Sequence, residues 1–174
     1  QYRNAYRVFR GAMTFAIIAG GIVTAIVFFG AGFIATDIMK MDLSVYALRV
    51  LAPCILVVAF LGVFRGFFQG FGTMIPTAVS QTVEQIINAI VSIVGAYMLL
   101  KVGQNSVSGA DKKSYGAAYA AAGATLGTVA GALAALVFLI LLFCVFRKGF
   151  KMQMKHDTEH RTESGKHIAK VLLF

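Results

Sequence analysis

The longest uncharged stretch of the chain decides its fold class. Residues 114–146 read SYGAAYAAAGATLGTVAGALAALVFLILLFCVF, which is 33 residues without a charged side chain between Lys113 and Arg147. A helix needs about 20 apolar residues to cross the hydrocarbon core of a bilayer. This stretch is long enough to cross and also to tilt or to project beyond the membrane. It therefore predicts a membrane-spanning helix over about residues 115–146.

The rest of the chain predicts three further spans, over about residues 11–36, 43–65 and 76–100. The second span carries Arg49 in its first turns and Pro53 in its interior, and a proline there favours a bend because it frees a backbone carbonyl. In the third span, Pro76 falls in the first turn, where a missing N–H costs nothing. Residues 66–75, which hold three glycines, are predicted to connect these two spans.

The overall composition is that of a membrane protein. Hydrophobic residues make up 59% of the chain and charged residues 13%, whereas soluble domains average roughly 45–50% and about 25%. With four spans, the fold class is predicted to be all-α, a polytopic transmembrane helical bundle. No phosphate-binding glycine loop and no nucleophile beside a base is found, so neither an enzyme nor a cofactor is expected. The three histidines of the tail lack an acidic or cysteine cluster, so no metal site is predicted.

The distribution of Lys and Arg predicts the orientation. Four spans place both ends on one face, whose flanks carry 11 Lys and Arg residues against 4 on the opposite face. The positive-inside rule then places both ends in the cytoplasm. Residues 1–10 are predicted to form a cytoplasmic flank and residues 147–170 a basic cytoplasmic linker that faces anionic headgroups, so the net charge of +9 requires no nucleic acid partner. Residues 171–174 are predicted to begin a truncated further span, which makes the chain an internal fragment.

Small residues at four-residue spacing predict close helix packing. They are Gly123, Gly127, Gly131 and Ala135 in the fourth span, and Ala16 with Gly20 and Gly21 with Ala25 in the first. Small side chains at this spacing let two helix backbones approach closely in lipid. The expected partners are bilayer lipids and the remaining helices of the full-length chain.

The third span carries the main candidate for a functional site. Glu84 lies about 12 Å beyond Pro76 along the helix, at a depth where a charge is costly. Polar side chains on the adjoining helix face follow the spacing of three and four residues: Gln81, Gln85, Asn88 and Ser92. Two interpretations stay open. Either this face lines a wet cavity where Glu84 binds a cation, a proton or a polar headgroup, or Glu84 pairs with an arginine and the other side chains bond between helices.

Arg49 of the second span is a candidate for holding a phosphate, because the forked guanidinium suits that group, and Arg65 is a candidate for binding substrate or a coupling ion. Arg49 would lie at the mouth of a cavity or, alternatively, extend to the membrane interface from a helix end. Arg65 would contribute to the site or simply lie favourably at a helix C-terminus. A polar inner face favours a transporter over a non-transporting membrane assembly factor, which needs no such face.

Four motifs carry a resemblance to a known family. They are ALRVLAP at 47–53, RGFFQG at 65–70, MIPTAVSQ at 74–81 and VEQ at 83–85. This part of the chain resembles polysaccharide-export proteins of the multidrug/oligosaccharidyl-lipid/polysaccharide exporter superfamily. Within the superfamily it is similar to the branch of stage V sporulation protein B and the MurJ-type lipid II flippases.

The resemblance implies a transporter of about 12 to 14 helices in two pseudo-symmetric lobes, with the four spans as helices three to six of the first lobe. Such proteins move lipid-linked sugars outward across the bacterial cytoplasmic membrane by alternating access, driven by ion gradients or the membrane potential. The coupling ion, H⁺ or Na⁺, the particular sugar lipid and a role in sporulation stay open. A multidrug or cation antiporter of the same superfamily is the alternative. The residues that match the family pattern at candidate substrate or ion sites are Arg49, Arg65, Gln81, Glu84 and Gln85, with Asn88 where a basic residue is expected.

Overall fold

The computed structural model describes residues 2–106 and 112–155, with the side chains of residues 6–106 and 112–146. Within this part of the chain the structure is helical and contains no β-strand. Four long helices follow one another: α1 (Tyr2–Phe33), α2 (Val45–Gly70), α3 (Ile75–Asn105) and α4 (Lys112–Lys155). A π-helical turn, Ile34–Ile38, and a 3-10 turn, Asp42–Ser44, join α1 to α2. The predicted all-α class is confirmed, whereas the tail from residue 156 lies outside the described residues.

Four segments are long and apolar enough to cross a membrane, namely Tyr6–Ile38, Asp42–Gly70, Ile75–Asn105 and Lys112–Phe146. Most of their apolar surface points outward. In α3, for example, only 6% of the most apolar stretch of 18 residues is buried within the structure. Soluble monomers rarely expose contiguous apolar patches of more than about 300–600 Å². This surface is therefore stable only in lipid or against further helices, and the predicted transmembrane bundle is confirmed.

Helix α4 holds the bundle together. Helix α3 packs along α4, α4 also packs on α2, and α1 packs on α2, whereas α2 and α3 touch over a small area. The helices therefore lie in the order α1, α2, α4, α3. Because the consecutive helices α2 and α3 contact each other over so small an area, the side-chain hydrogen bonds near the turn between them are an important direct link.

The three glycines of the predicted small-residue seam on α4 lie against α3, whereas Ala135 packs against α2. A Cβ built on Gly131 would come within 2.6 Å of the backbone oxygen of Glu84, and one built on Gly95 would come within 2.6 Å of the backbone oxygen of Gly123. Distances this short leave no room for any side chain other than hydrogen. On α1, Gly20 lies against α2, while a Cβ built on Gly21 would meet no atom within 4 Å beyond the backbone of its own helix, among the described residues.

An apolar cluster defines one end of the bundle, which we call the turn end. Leu61, Phe64 and Phe68 of α2 pack against Ala135 and Leu139 of α4. The ring of Phe9 in α1 lies 5.5 Å from the ring of Phe64 and 5.5 Å from that of Phe143 in α4. The beginning of α1 and the ends of α2 and α4 therefore meet at the turn end, next to the start of α3.

The α2–α3 connection is shorter than predicted. Helix α2 contains Pro53 and continues to Gly70, so that residues 71–74 alone form the turn. Gly66 and Gly70 are helical, and Gly72 alone of the three glycines adopts a positive φ, 77°. This left-handed conformation is favoured for glycine because a Cβ would crowd the neighbouring carbonyl. The N–H of Gly72 donates to the carbonyl of Gln69, and this hydrogen bond closes the C-terminal end of α2.

Candidate functional site

The candidate site lies where the last turns of α2 face the first turns of α3. Pro76 stands at the start of α3, where its fixed φ suits a first helical turn. Pro76, Thr77 and Ser80 are all buried against neighbouring elements. Because Ser80 and Glu84 are four residues apart, they share one face of α3. That face meets Arg65, which α2 presents from a position one turn before its end.

An ion pair joins the two helices at this point. The Nη2 of Arg65 donates to Oε2 of Glu84 over 2.6 Å. Each of the two side chains keeps 18% of its surface exposed. One of the two interpretations of Glu84 requires an arginine partner, and the structure identifies Arg65 as that partner. The pair is nevertheless reachable from the surface, so a ligand could contact it.

Further hydrogen bonds hold the same junction. The Nε of Arg65 donates to the hydroxyl oxygen of Ser80 over 3.1 Å, and that hydroxyl donates to the backbone carbonyl of Thr77 over 2.8 Å. The side-chain amide of Gln69 also donates to the hydroxyl of Thr77 over 3.4 Å. The junction is therefore a polar network of five side chains, which we call the α2–α3 network: Gln69, Arg65, Thr77, Ser80 and Glu84.

The energetics of this network depend on its being complete. Two charges taken out of water lose several kcal/mol of hydration each, and their mutual attraction compensates only when the geometry is good. Removal of one partner leaves the other as an uncompensated charge near the membrane interior, which is costly. The network therefore couples the positions of α2 and α3, although these helices contact each other over a small area.

The predicted polar face of α3 divides into two parts. Gln81 and Gln85 are exposed, whereas Asn88 and Ser92 lie against α4. The four residues share the helix face, but α4 covers only Asn88 and Ser92 among them. Towards the turn end, α4 packs on α2 instead, through Ala135 and the residues near it. Gln81 and Gln85 are thus open to a ligand, and Asn88 and Ser92 serve helix packing.

Ser92 provides a hydrogen bond between α3 and α4. Its hydroxyl lies 2.8 Å from the carbonyl oxygen of Ala124 and 2.9 Å from Oδ1 of Asn88. A hydroxyl has one hydrogen and can donate to only one of the two at a time. With the Asn88 amide turned over, its NH₂ would donate to Ser92 while Ser92 donates to Ala124. Asn88 and Ser92 therefore fit the interpretation in which polar side chains of α3 form hydrogen bonds between helices.

Arg49 lies far from the other candidates. It is exposed, and it precedes Arg65 by 16 residues in the same helix, which corresponds to about 24 Å along the helix axis. The two arginines therefore cannot contact one phosphate in this arrangement. Ser80, by contrast, was not among the predicted site residues. Its spacing of four from Glu84 was the signal that could have found it.

Comparison with known proteins assigns the chain to a family. No curated protein and no solved structure is similar enough to match it. A family model described as polysaccharide biosynthesis protein matches residues 5–165 of the 174. This match covers all four helices and the α2–α3 network, and it supports a general role in transport or flipping across a membrane. The chain belongs to the polysaccharide biosynthesis protein family.

Proposed function

We propose that the protein is part of a flippase that moves a lipid-linked oligosaccharide, such as a lipid II-like peptidoglycan precursor, across the bacterial cytoplasmic membrane. The observation that carries this proposal is the partly exposed Arg65–Glu84 pair inside the apolar spans. Ionisable groups at membrane depth mark substrate or ion pathways as a rule. The family match supports the class of substrate.

The unused hydrogen-bond donors of the site favour an anionic substrate over a cation. Arg65 neutralises Glu84, so the pair carries no net negative charge that would attract an organic cation. The guanidinium, however, has five N–H donors and uses two of them in the α2–α3 network. The remaining donors suit a phosphate oxygen. The free donors of Arg65 therefore favour a lipid-linked diphosphate as the substrate over the substrates of a multidrug or cation antiporter.

The proposed cycle exchanges ion-pair partners. In the empty site Glu84 holds Arg65, and an entering phosphate takes the free edge of the guanidinium and competes with the carboxylate. Loosening of the pair weakens an important direct link between α2 and α3, which would let the two helices separate in one step of alternating access. A proton or Na⁺ taken up by Glu84 would favour the same separation, so either ion could couple to transport.

The arrangement in the membrane is part of the proposal. Both ends of the chain would lie in the cytoplasm, as the excess of Lys and Arg on their face favours. The turn end and the α2–α3 network would then lie towards the cytoplasm, where lipid-linked precursors enter. The four helices would belong to the first lobe of a larger two-lobed transporter, and the apolar surface that they expose supports the presence of further helices.

The proposal predicts how Arg65 variants behave in cells. The full-length gene carrying Arg65→Gln is expected to fail to rescue a bacterial strain depleted of its lipid II flippase, because the amide cannot bind a phosphate as a cation does. Arg49→Gln, which lies outside the α2–α3 network, is the matched control and is expected to rescue. Rescue is scored by growth, with membrane expression checked by blot. Failure of the wild type to rescue would reject lipid II as the substrate, and full rescue by Arg65→Gln would reject the site.

A further inference from the structure

The hydroxyl of Ser80 has a fixed direction. Ser80 is fully buried, with 0% of its surface exposed. Its oxygen lies 2.8 Å from the backbone carbonyl of Thr77, which can only accept a hydrogen bond, so the single hydroxyl hydrogen points there. The lone pairs of the oxygen then face Arg65, whose Nε donates over 3.1 Å. Ser80 therefore offers Arg65 an acceptor and nothing else.

The two acceptors on α3 occupy one edge of the guanidinium. Nε meets Ser80 and Nη2 meets Glu84, and these two nitrogens form the side edge of the planar group. The side edge fits acceptors that stand one helical turn apart on the same face. Both hydrogens of Nη1 and one hydrogen of Nη2 then remain without a partner among the residues that the structure describes. Two of these three donors, one on Nη1 and one on Nη2, form the end edge, which can hold a phosphate through two parallel bonds.

We propose that Ser80 is a positioning residue of the substrate site, because it holds the side edge of Arg65 and thereby leaves the end edge free for a diphosphate. The inference rests on the proposed function and deepens it. Without the hydroxyl, Nε loses its acceptor and the guanidinium can turn its end edge towards the Glu84 carboxylate. That geometry would make two parallel bonds where the pair now makes one, and it would consume the donors that the substrate needs.

The test measures binding of a charged and an uncharged lipid to the full-length protein in nanodiscs. The probes are geranylgeranyl diphosphate and geranylgeraniol, which share the apolar chain and differ in the diphosphate. Ser80→Ala is expected to raise the Kd of the diphosphate about tenfold, the effect of one hydrogen bond to a charged group. The Kd of the alcohol is expected to stay unchanged. A general defect in folding would weaken both ligands alike, so the ratio of the two Kd values isolates the positioning effect.

Control variants separate the possible failures. Thr82→Ala removes an exposed hydroxyl that bonds only within α3, and it should change neither Kd. If Ser80→Ala does not fold, Ser80→Cys replaces it, because the cysteine side chain is similar in size to serine while its sulfur is only a weak hydrogen-bond acceptor. The role of Ser80 would be overturned if Ser80→Ala leaves the Kd of the diphosphate unchanged while Arg65→Gln raises it. The proposed function would then still stand. Equal loss of both ligands would also overturn that role. A wild type that does not prefer the diphosphate would overturn both.

Discussion

Replacing Glu84 by Gln is expected to destabilise the protein by about 3 kcal/mol, towards the lower end of the cost of removing one partner of a buried ion pair. The lower end applies because each side chain keeps 18% of its surface exposed. The neutral amide leaves Arg65 without a counter-charge, and the α2–α3 network loses its shortest hydrogen bond, 2.6 Å. Unfolding of the purified full-length protein by denaturant in mixed micelles measures the change.

A double-mutant cycle shows whether this cost comes from the pair itself. The Arg65→Gln variant should cost a similar amount, and the double variant should cost less than the sum of the two, because no unpaired charge remains. Asp42→Asn, which removes an exposed carboxylate before α2, serves as the control and should change the stability by less than about 0.5 kcal/mol. Additive effects of Glu84→Gln and Arg65→Gln would mean that the ion pair does not form.

Replacing Gly127 by Ala is expected to disrupt the packing of α3 on α4. The added Cβ would collide with the side chain of Ser92 and come within 2.5 Å of its backbone nitrogen and 2.7 Å of the backbone oxygen of Asn88. Two of these three atoms belong to the backbone and cannot turn away, so the helices must separate. Overpacking of this kind costs about 1–3 kcal/mol or more. Loss of thermal stability of the detergent-solubilised protein, followed by size-exclusion chromatography, reports the effect.

Gly21→Ala is the matched control for this experiment. Gly21 is also a helical glycine within a predicted membrane span, but a Cβ built on it meets nothing within 4 Å. The substitution should be neutral or stabilise α1 by about 0.5–1 kcal/mol, since alanine is the better helix former. Equal destabilisation by the two substitutions would contradict the account of the α3–α4 seam, because it would trace the effect to the loss of glycine and not to a steric collision.

Much of the fold follows from the sequence because the bilayer restricts it. Long uncharged stretches such as residues 114–146 have few structural solutions in lipid, where every backbone polar group must be bonded within its own segment. The glycine spacing of α4 also predicted a close helix contact. Its partner could not be predicted, since the spacing on α4 contains no information about which helix lies opposite. The structure shows that the partner is α3, since the glycines of α4 lie against Gly95, Ser92 and the backbone of Glu84.

The sequence predicted Arg65 and Glu84 as site residues, but it did not predict the other three members of the α2–α3 network, Gln69, Thr77 and Ser80. Glu84 and Arg65 are conspicuous as charges within apolar spans, but their pairing depends on where α2 ends. The sequence predicted a glycine-rich connection from residue 66, whereas α2 continues to Gly70 and carries Gln69 into the site. Glycine is a weak helix former, but the packing of Phe64 and Phe68 on α4 outweighs that preference. The helix periodicity placed Gln81 and Asn88 on one face, and only the position of α4 separates them.

One measurement tests most directly the claim that Arg65 receives the phosphate of a lipid-linked sugar during transport. The full-length protein is reconstituted into liposomes that hold a fluorescent polyprenyl-diphosphate sugar, and the fraction of lipid accessible to an impermeant quencher is followed in time. We expect the wild type to speed transfer between leaflets and Arg65→Gln to abolish the acceleration, while Arg49→Gln retains it. Transfer no faster than in protein-free liposomes, or transfer that Arg65→Gln leaves unchanged, would contradict the claim.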